Sequence, residues 1–243
     1  MAGYVGNNVP ARDITKSFGQ VTDWVPIKHI DCNGAELSTV EFKDGSEGVV
    51  FDSTFYEYLW VFDGVQSNAG FLGGGGPADR SWAFQVNASG QSGFNESFTG
   101  SGMIGGNNGD FSGSQGSWKS GNFAGFGAAS SRQHNATDYT NMSYNSVGAQ
   151  LQIAAGHGNA TDNDKASICG ELRLWHPSDA TYYTPYTSTH ASENDDCNGY
   201  GRYLYANNTC GVISVAAAID EISFKFTTNE VNGGTISMYG LAY

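Results

Sequence analysis

Few residues in this chain have types and spacings that could do chemistry. Gly73-Gly74-Gly75-Gly76 offers the backbone N–H groups of a phosphate cradle. No Gly-Lys-Ser/Thr ending and no helical period follow it, so it reads as a turn. Asp162-Asn163-Asp164 opens like a calcium loop. It lacks both the Gly of the sharp turn and the bidentate Glu that closes such a loop. His29, His134, His157, His176 and His190 are scattered, and no spacing brings them to a shared Asp, Glu or Cys partner. Glycoside hydrolysis needs only two carboxylates at a suitable separation, but no repeat of a long β-helix is visible to hold a cleft. Cys32, Cys169, Cys197 and Cys210 form no CxxC pair and read as free thiols, although Cys197 and Cys210 are spaced to close a short loop. The reading is therefore non-enzymatic, with no catalytic, cofactor-binding or metal-ligating residue and no cofactor.

Tyrosine is the residue type that stands out for contact chemistry. Tyr182-Tyr183-Thr184-Pro185-Tyr186 is followed by Tyr200, Tyr203 and Tyr205. A tyrosine ring gives a flat apolar face and a hydrogen-bonding tip at small entropic cost, which suits protein contacts and sugar stacking. Tyr182, Tyr183, Tyr186, Tyr200 and Tyr203 are thus the candidate contacts to a partner or to glycan. Tyr203 and Tyr205 also fit a second description, as strand residues half-buried on the core. Glu193, Asp195 and Asp196 near these rings favour neutral, hydroxyl-rich sugars over anionic ones. The Gly73 to Gly127 stretch offers little contact area and loses more backbone entropy when fixed.

The elements that must position these residues are strands. Ile222, Phe224 and Phe226 alternate with Ser223 and Lys225, and Ile236 and Met238 alternate with Thr235, Ser237 and Tyr239. That is the period of strands buried on one face, and Asn232-Gly233-Gly234 between them reads as a hairpin turn. A second hairpin is expected around Asp44-Gly45, between Leu37–Phe42 and Val49–Phe51. Tyr56 to Val65 reads as a central strand ended by Asp63-Gly64; Trp82–Val86, Val147–Ile153 and Leu172–Leu174 follow as strands. Helical spacing is absent apart from a short Val215–Ala218 stretch. Residues 1–30 have no clear period and carry single apolar residues, among them Tyr4, Val5, Phe18, Val21 and Trp24. Such a segment reads as an extended anchoring arm, with Tyr4, Val5, Phe18 and Trp24 as the candidate anchors, ahead of a β-sandwich over residues 31–243 with Gly-rich loops. Deleting residues 1–30 is expected to leave a soluble β-rich fold.

Composition bounds the rest. Glycine makes up 34 of 243 residues, about twice the usual share, yet 13% of residues are aromatic, so a core can form. With 11 basic against 24 acidic residues and a formal net charge of −13, nucleic acid and anionic lipid surfaces are excluded as partners. No 18-residue apolar run exists for membrane insertion and the first residues carry no apolar signal region. Only 14% of residues are charged, which fits a surface occluded by neighbours. Six Asn-x-Ser/Thr sequons, at Asn87, Asn95, Asn135, Asn141, Asn159 and Asn207, follow from this composition and are not read as glycosylated.

Four motifs carry a resemblance. Ile219-Asp220-Glu221-Ile222-Ser223-Phe224-Lys225-Phe226, then Gly234-Thr235-Ile236-Ser237-Met238-Tyr239-Gly240-Leu241, resembles the C-terminal signature of β-sandwich domains in tailed-phage virion proteins. Gly170-Glu171-Leu172-Arg173-Leu174-Trp175-His176-Pro177 resembles the strand end those domains carry, and Tyr56–Phe62 their first sandwich strand. Met1–Pro10, with Tyr4-Val5-Gly6-Asn7-Asn8-Val9-Pro10, is similar to the opening of phage fibre and other tail-associated proteins. The Ala191–Cys210 connector, with Asp195-Asp196-Cys197 and Asn207-Asn208-Thr209-Cys210, is longer and more cysteine-bearing than in that family. The resemblance implies an all-β, jelly-roll-like antiparallel β-sandwich with an extended N-terminal arm. It implies a structural virion component, made in the host cytoplasm and released by lysis, docked as a tail fibre or other tail appendage. A capsid decoration protein, or a lectin-like receptor-binding module contacting host-surface glycan, are the other uses of that fold. The expected partners are further copies of the chain, as a homotrimer, and other virion proteins of tail or capsid.

Overall fold

The structure is a computed structural model and describes residues 24–67, 82–94, 96–108, 151–154, 167–194, 203–226 and 230–242. Among the described residues there are eleven strands and no helix. The strands are β1 (Trp24–Asp31), β2 (Val40–Lys43), β3 (Glu57–Ser67), β4 (Trp82–Ala88), β5 (Phe98–Asn108), β6 (Leu151–Ala154), β7 (Ile168–Trp175), β8 (Thr184–Asn194), β9 (Tyr203–Ile213), β10 (Ile219–Phe226) and β11 (Val231–Leu241). They form a seven-stranded sheet, β1-β11-β3-β7-β8-β9-β5, and a four-stranded sheet, β2-β10-β4-β6. Every pairing is antiparallel. The orders β1-β11-β3-β7 and β2-β10-β4-β6 are those of a jelly roll, in which the chain passes repeatedly between two sheets and only the fourth and fifth core strands, here β4 and β6, share one. Strands β8, β9 and β5 extend the first sheet beyond that eight-strand core.

Alternation builds the interior as expected. Ile222, Phe224 and Phe226 of β10 are buried, as are Tyr58, Trp60 and Phe62 of β3 and Ile236 and Met238 of β11. Phe224 lies at the centre, with ring centroids of Phe62, Trp82, Trp60, Phe42 and Phe84 at 5.1, 5.9, 6.0, 6.1 and 6.4 Å. Edge-to-face and offset contacts of this kind add about 0.5–1.5 kcal/mol per pair to the area term.

The C-terminal hairpin expected from the sequence does not form. β10 pairs with β2 and β4, whereas β11 pairs with β1 and β3 in the other sheet, so the chain crosses between sheets after Phe226. Asn232, Gly233 and Gly234 lie inside β11, at two register shifts opposite the Asp63–Ser67 end of β3. Gly234 has φ 80, and a Cβ there would sit 2.4 Å from the backbone of Gly64. The glycine serves a close strand approach at a bulge.

Three other expectations change. The Asp44-Gly45 turn is present, with Gly45 N–H donating to the Val49 carbonyl at 3.0 Å, but Val49–Phe51 is no strand; β2 pairs with β10. Val49 and Phe51 nevertheless bury their side chains, and the Asp44 carboxylate accepts from the Phe51 N–H at 2.8 Å. Asp63-Gly64 does not end β3, which runs on to Ser67 as the third strand, not the first. Residues 24–30 are not arm: they form β1, hydrogen-bonded to β11, so the sandwich begins at Trp24 and not at residue 31. The first part of the arm, with Tyr4, Val5 and Phe18, lies outside the described residues, as do Val147–Gln150 of the expected strand.

Candidate functional site

Antiparallel order sorts the connections to two ends of the sandwich. At one end meet the start of β1, the end of β11, the start of β3, the end of β7, the start of β8 and the end of β9. Its loops are tied together by backbone bonds: Tyr56 N–H to Leu241 O at 3.0 Å, Ile219 N–H to Pro177 O at 2.7 Å, and Ser214 N–H to Ser97 O at 2.7 Å.

The β7–β8 loop, residues 176–183, rises from this end. His176 turns the chain at φ 50, a conformation that costs a non-glycine residue about 1 kcal/mol or more, and its ring lies 6.0 Å from that of Tyr56. Asp179 then accepts from the N–H groups of Thr181 and Tyr182 at 2.6 and 3.3 Å. The Thr181 N–H bond, foremost, holds the Asp179 carboxyl below the usual carboxylate range. The result is a braced turn that carries Tyr182 and Tyr183 outward, 73% and 54% exposed. Among the described residues these are the large apolar side chains that solvent reaches most.

Tyr186 and Tyr203 do not join them. Tyr186 is 1% exposed, its ring centroid 5.6 Å from Phe84 and 6.2 Å from Phe98, so it is a core residue and not a surface contact. The shift follows from strand parity: with Tyr183 in the loop, Thr184 and Tyr186 take the inward positions of β8. Tyr203 pairs with Asn194 at the opposite end of β8, roughly 33 Å from Thr184 at the rise of an extended strand. Glu193 sits at that far end as well, away from Tyr182 and Tyr183. Tyr200, Asp195, Asp196 and Cys197 lie outside the described residues, and so does Asp162.

A second group at the same end was missed in the sequence. On the outer face of the larger sheet, Arg173 donates from Nη1 to Glu57 at 3.1 Å and from Nε to Glu171 at 2.9 Å. Its guanidinium lies 5.6 Å from the ring centroid of Trp24. β11 and β3 separate Trp24 from Arg173 in the sheet, so the two side chains meet across the outer face of those strands. Trp24, expected as a particle anchor, is thus held within the sandwich. Gly-Glu-Leu-Arg-Leu-Trp was the available signal, since Glu171 and Arg173 alternate outward with the buried Leu172 and Leu174.

Among the described residues no group of three or more His, Cys, Asp or Glu side chains could hold a metal ion, and no helix is long and apolar enough to cross a membrane. Burial pushes the Cys32 thiol up to about 11, which keeps it protonated and unreactive at neutral pH. No protein-family model, curated protein or solved structure matches this chain.

Proposed function

We propose that this chain is a structural subunit of a tailed-phage particle, a tail fibre or other tail-associated appendage. The observation that carries this reading is where the resembling motifs fall. The three of the four motifs that lie within the described residues fall on β10 and β11, on β7 and on β3, interior strands of the two sheets, which supports a shared sandwich core. The low share of charged residues supports a role in protein contacts. Self-association as a homotrimer belongs to the same reading, and light scattering on the intact chain tests it. Gold-labelled antibody on negatively stained particles tests the function itself. Label on the tail supports the appendage, label on the capsid supports decoration, and unlabelled particles overturn the reading.

The end of the sandwich that bears Tyr182 and Tyr183 is also the end at which residues 1–23 join β1. An arm that docks on the particle brings that end with it. In this reading the two tyrosines contact the particle, or a neighbouring subunit, and not host glycan. Buried tyrosine anchors at protein interfaces commonly contribute about 2 kcal/mol or more each, roughly 30-fold in affinity. The double variant Tyr182→Ala/Tyr183→Ala is expected to fold with an unchanged melting temperature and to incorporate poorly. Normal incorporation with weakened adsorption to host cells would assign the pair to host contact instead.

A further inference from the structure

The interior is aromatic where β3 and β10 face one another, and polar where β8 and β9 run. Thr184, Tyr186, Ser188 and His190 of β8 all point inward, and none is more than 2% exposed. Ser188 Oγ and His190 Nδ1 satisfy each other at 2.7 Å. Thr184 Oγ1, Tyr186 OH, His190 Nε2 and, from β9, Thr209 Oγ1 have no protein partner. The register gathers these atoms. Thr209 lies opposite Ser188, hence diagonal to both Tyr186 and His190, about 7–8 Å from each at the backbone. Gly211 lies opposite Tyr186 and leaves that inward position without a side chain.

Four buried polar atoms left dry would cost about 1–3 kcal/mol each, a sum comparable with the whole stability of a domain. Buried polar groups in folded proteins are satisfied, by water where protein is not at hand. Among the described residues, the rings of Phe62 against His190 and of Phe84 and Phe98 against Tyr186 line this row and carry no charge. Such surroundings favour a neutral ligand with both donor and acceptor capacity.

We propose that the inner face of β8 and β9 binds a file of ordered water molecules that link Tyr186 OH, Thr209 Oγ1 and His190 Nε2. Water can donate to an imidazole nitrogen and both donate to and accept from a hydroxyl, so it can serve these groups together.

Two near-isosteric substitutions test this, because the sign of their effect differs between wet and dry. Where water is bonded, Tyr186→Phe and Thr209→Val each remove a bond and lower the melting temperature by about 2–4 °C. Where the atoms are dry, the same changes remove a desolvation penalty and raise it. Oxygen-17 relaxation dispersion on the full chain is expected to show long-lived internal waters, fewer in each variant. Absence of such waters, or a raised melting temperature in either variant, overturns the proposal.

Discussion

Deleting residues 1–30 is expected to cost the fold at least about 3 kcal/mol more than deleting residues 1–23. The difference is β1. Its removal takes away Val25, which is 5% exposed, the half-buried Ile27 and Ile30 that pack against the core, and the half-buried Trp24 on the outer face. A fully buried aliphatic side chain contributes about 1.5–3 kcal/mol, and the partly buried ones add fractions of that. Lys28 goes too, with its 2.8 Å pair to Glu47 and its ammonium 5.3 Å from the Phe42 ring centroid. Glu47 is 72% exposed, so the ion pair adds little; the contact with the buried Phe42 ring adds about 1 kcal/mol. What remains has a new edge at β11, an eleven-residue strand without a neighbour on that side. A long uncovered edge invites pairing between chains, so the shorter protein is expected to aggregate as well as melt early. Thermal melts of the two truncations, followed by far-ultraviolet circular dichroism, decide it. Coincident melts would return residues 24–30 to the arm.

β1 illustrates why part of the fold was hard to read. Its register slips between Pro26 and Lys28, so Val25 and Ile30 both face inward although they are an odd number of residues apart. A bulge inverts the phase of the alternation, and a period-two reading then sees no strand. β8 fails differently: Thr184, Tyr186, Ser188 and His190 take the inward places, and the eye scanning for apolar alternation passes over them. The remaining signals, Thr and Tyr enrichment over a long run, were weak. β10 and β11, with apolar residues in strict alternation, were legible as strands. Their partners were not, because alternation tells which face is buried but not against which sheet. Tyr182 and Tyr183 were named as contacts from residue type alone. Their separation from Tyr186 and Tyr203 depended on strand phase and pairing, and both are tertiary facts.

His190 makes the fold sensitive to acid. Its ring stacks on Phe62 at 5.2 Å between centroids and lies against Gly170, where any Cβ would come within 2.9 Å of Cδ2. Full burial pushes its pKa from 6.5 down to about 3, because an imidazolium there is cut off from bulk solvent. A bonded water or the Ser188 hydroxyl satisfies the neutral ring without supplying a counter-charge. The unfolded chain takes up a proton below about pH 6.5 and the folded chain does not until about pH 3. The unfolded state thus binds more protons across this window, and stability falls as pH falls, by about 1.4 kcal/mol per unit. Two carboxyls act in the opposite sense: burial raises Glu96 and Glu221, so the folded state holds their protons more tightly and gains as pH drops toward the carboxylate range. Their contribution is smaller because both groups are only partly desolvated, and it is common to the variant needed as reference. His190→Phe keeps a ring against Phe62 and removes the titration. The difference in unfolding free energy between the two proteins, measured in urea at pH 7, 6 and 5, is expected to shift against the parent by about 1 kcal/mol or more between pH 6 and 5. A pH-independent difference would mean that the imidazole is hydrated well enough to accept a proton in place.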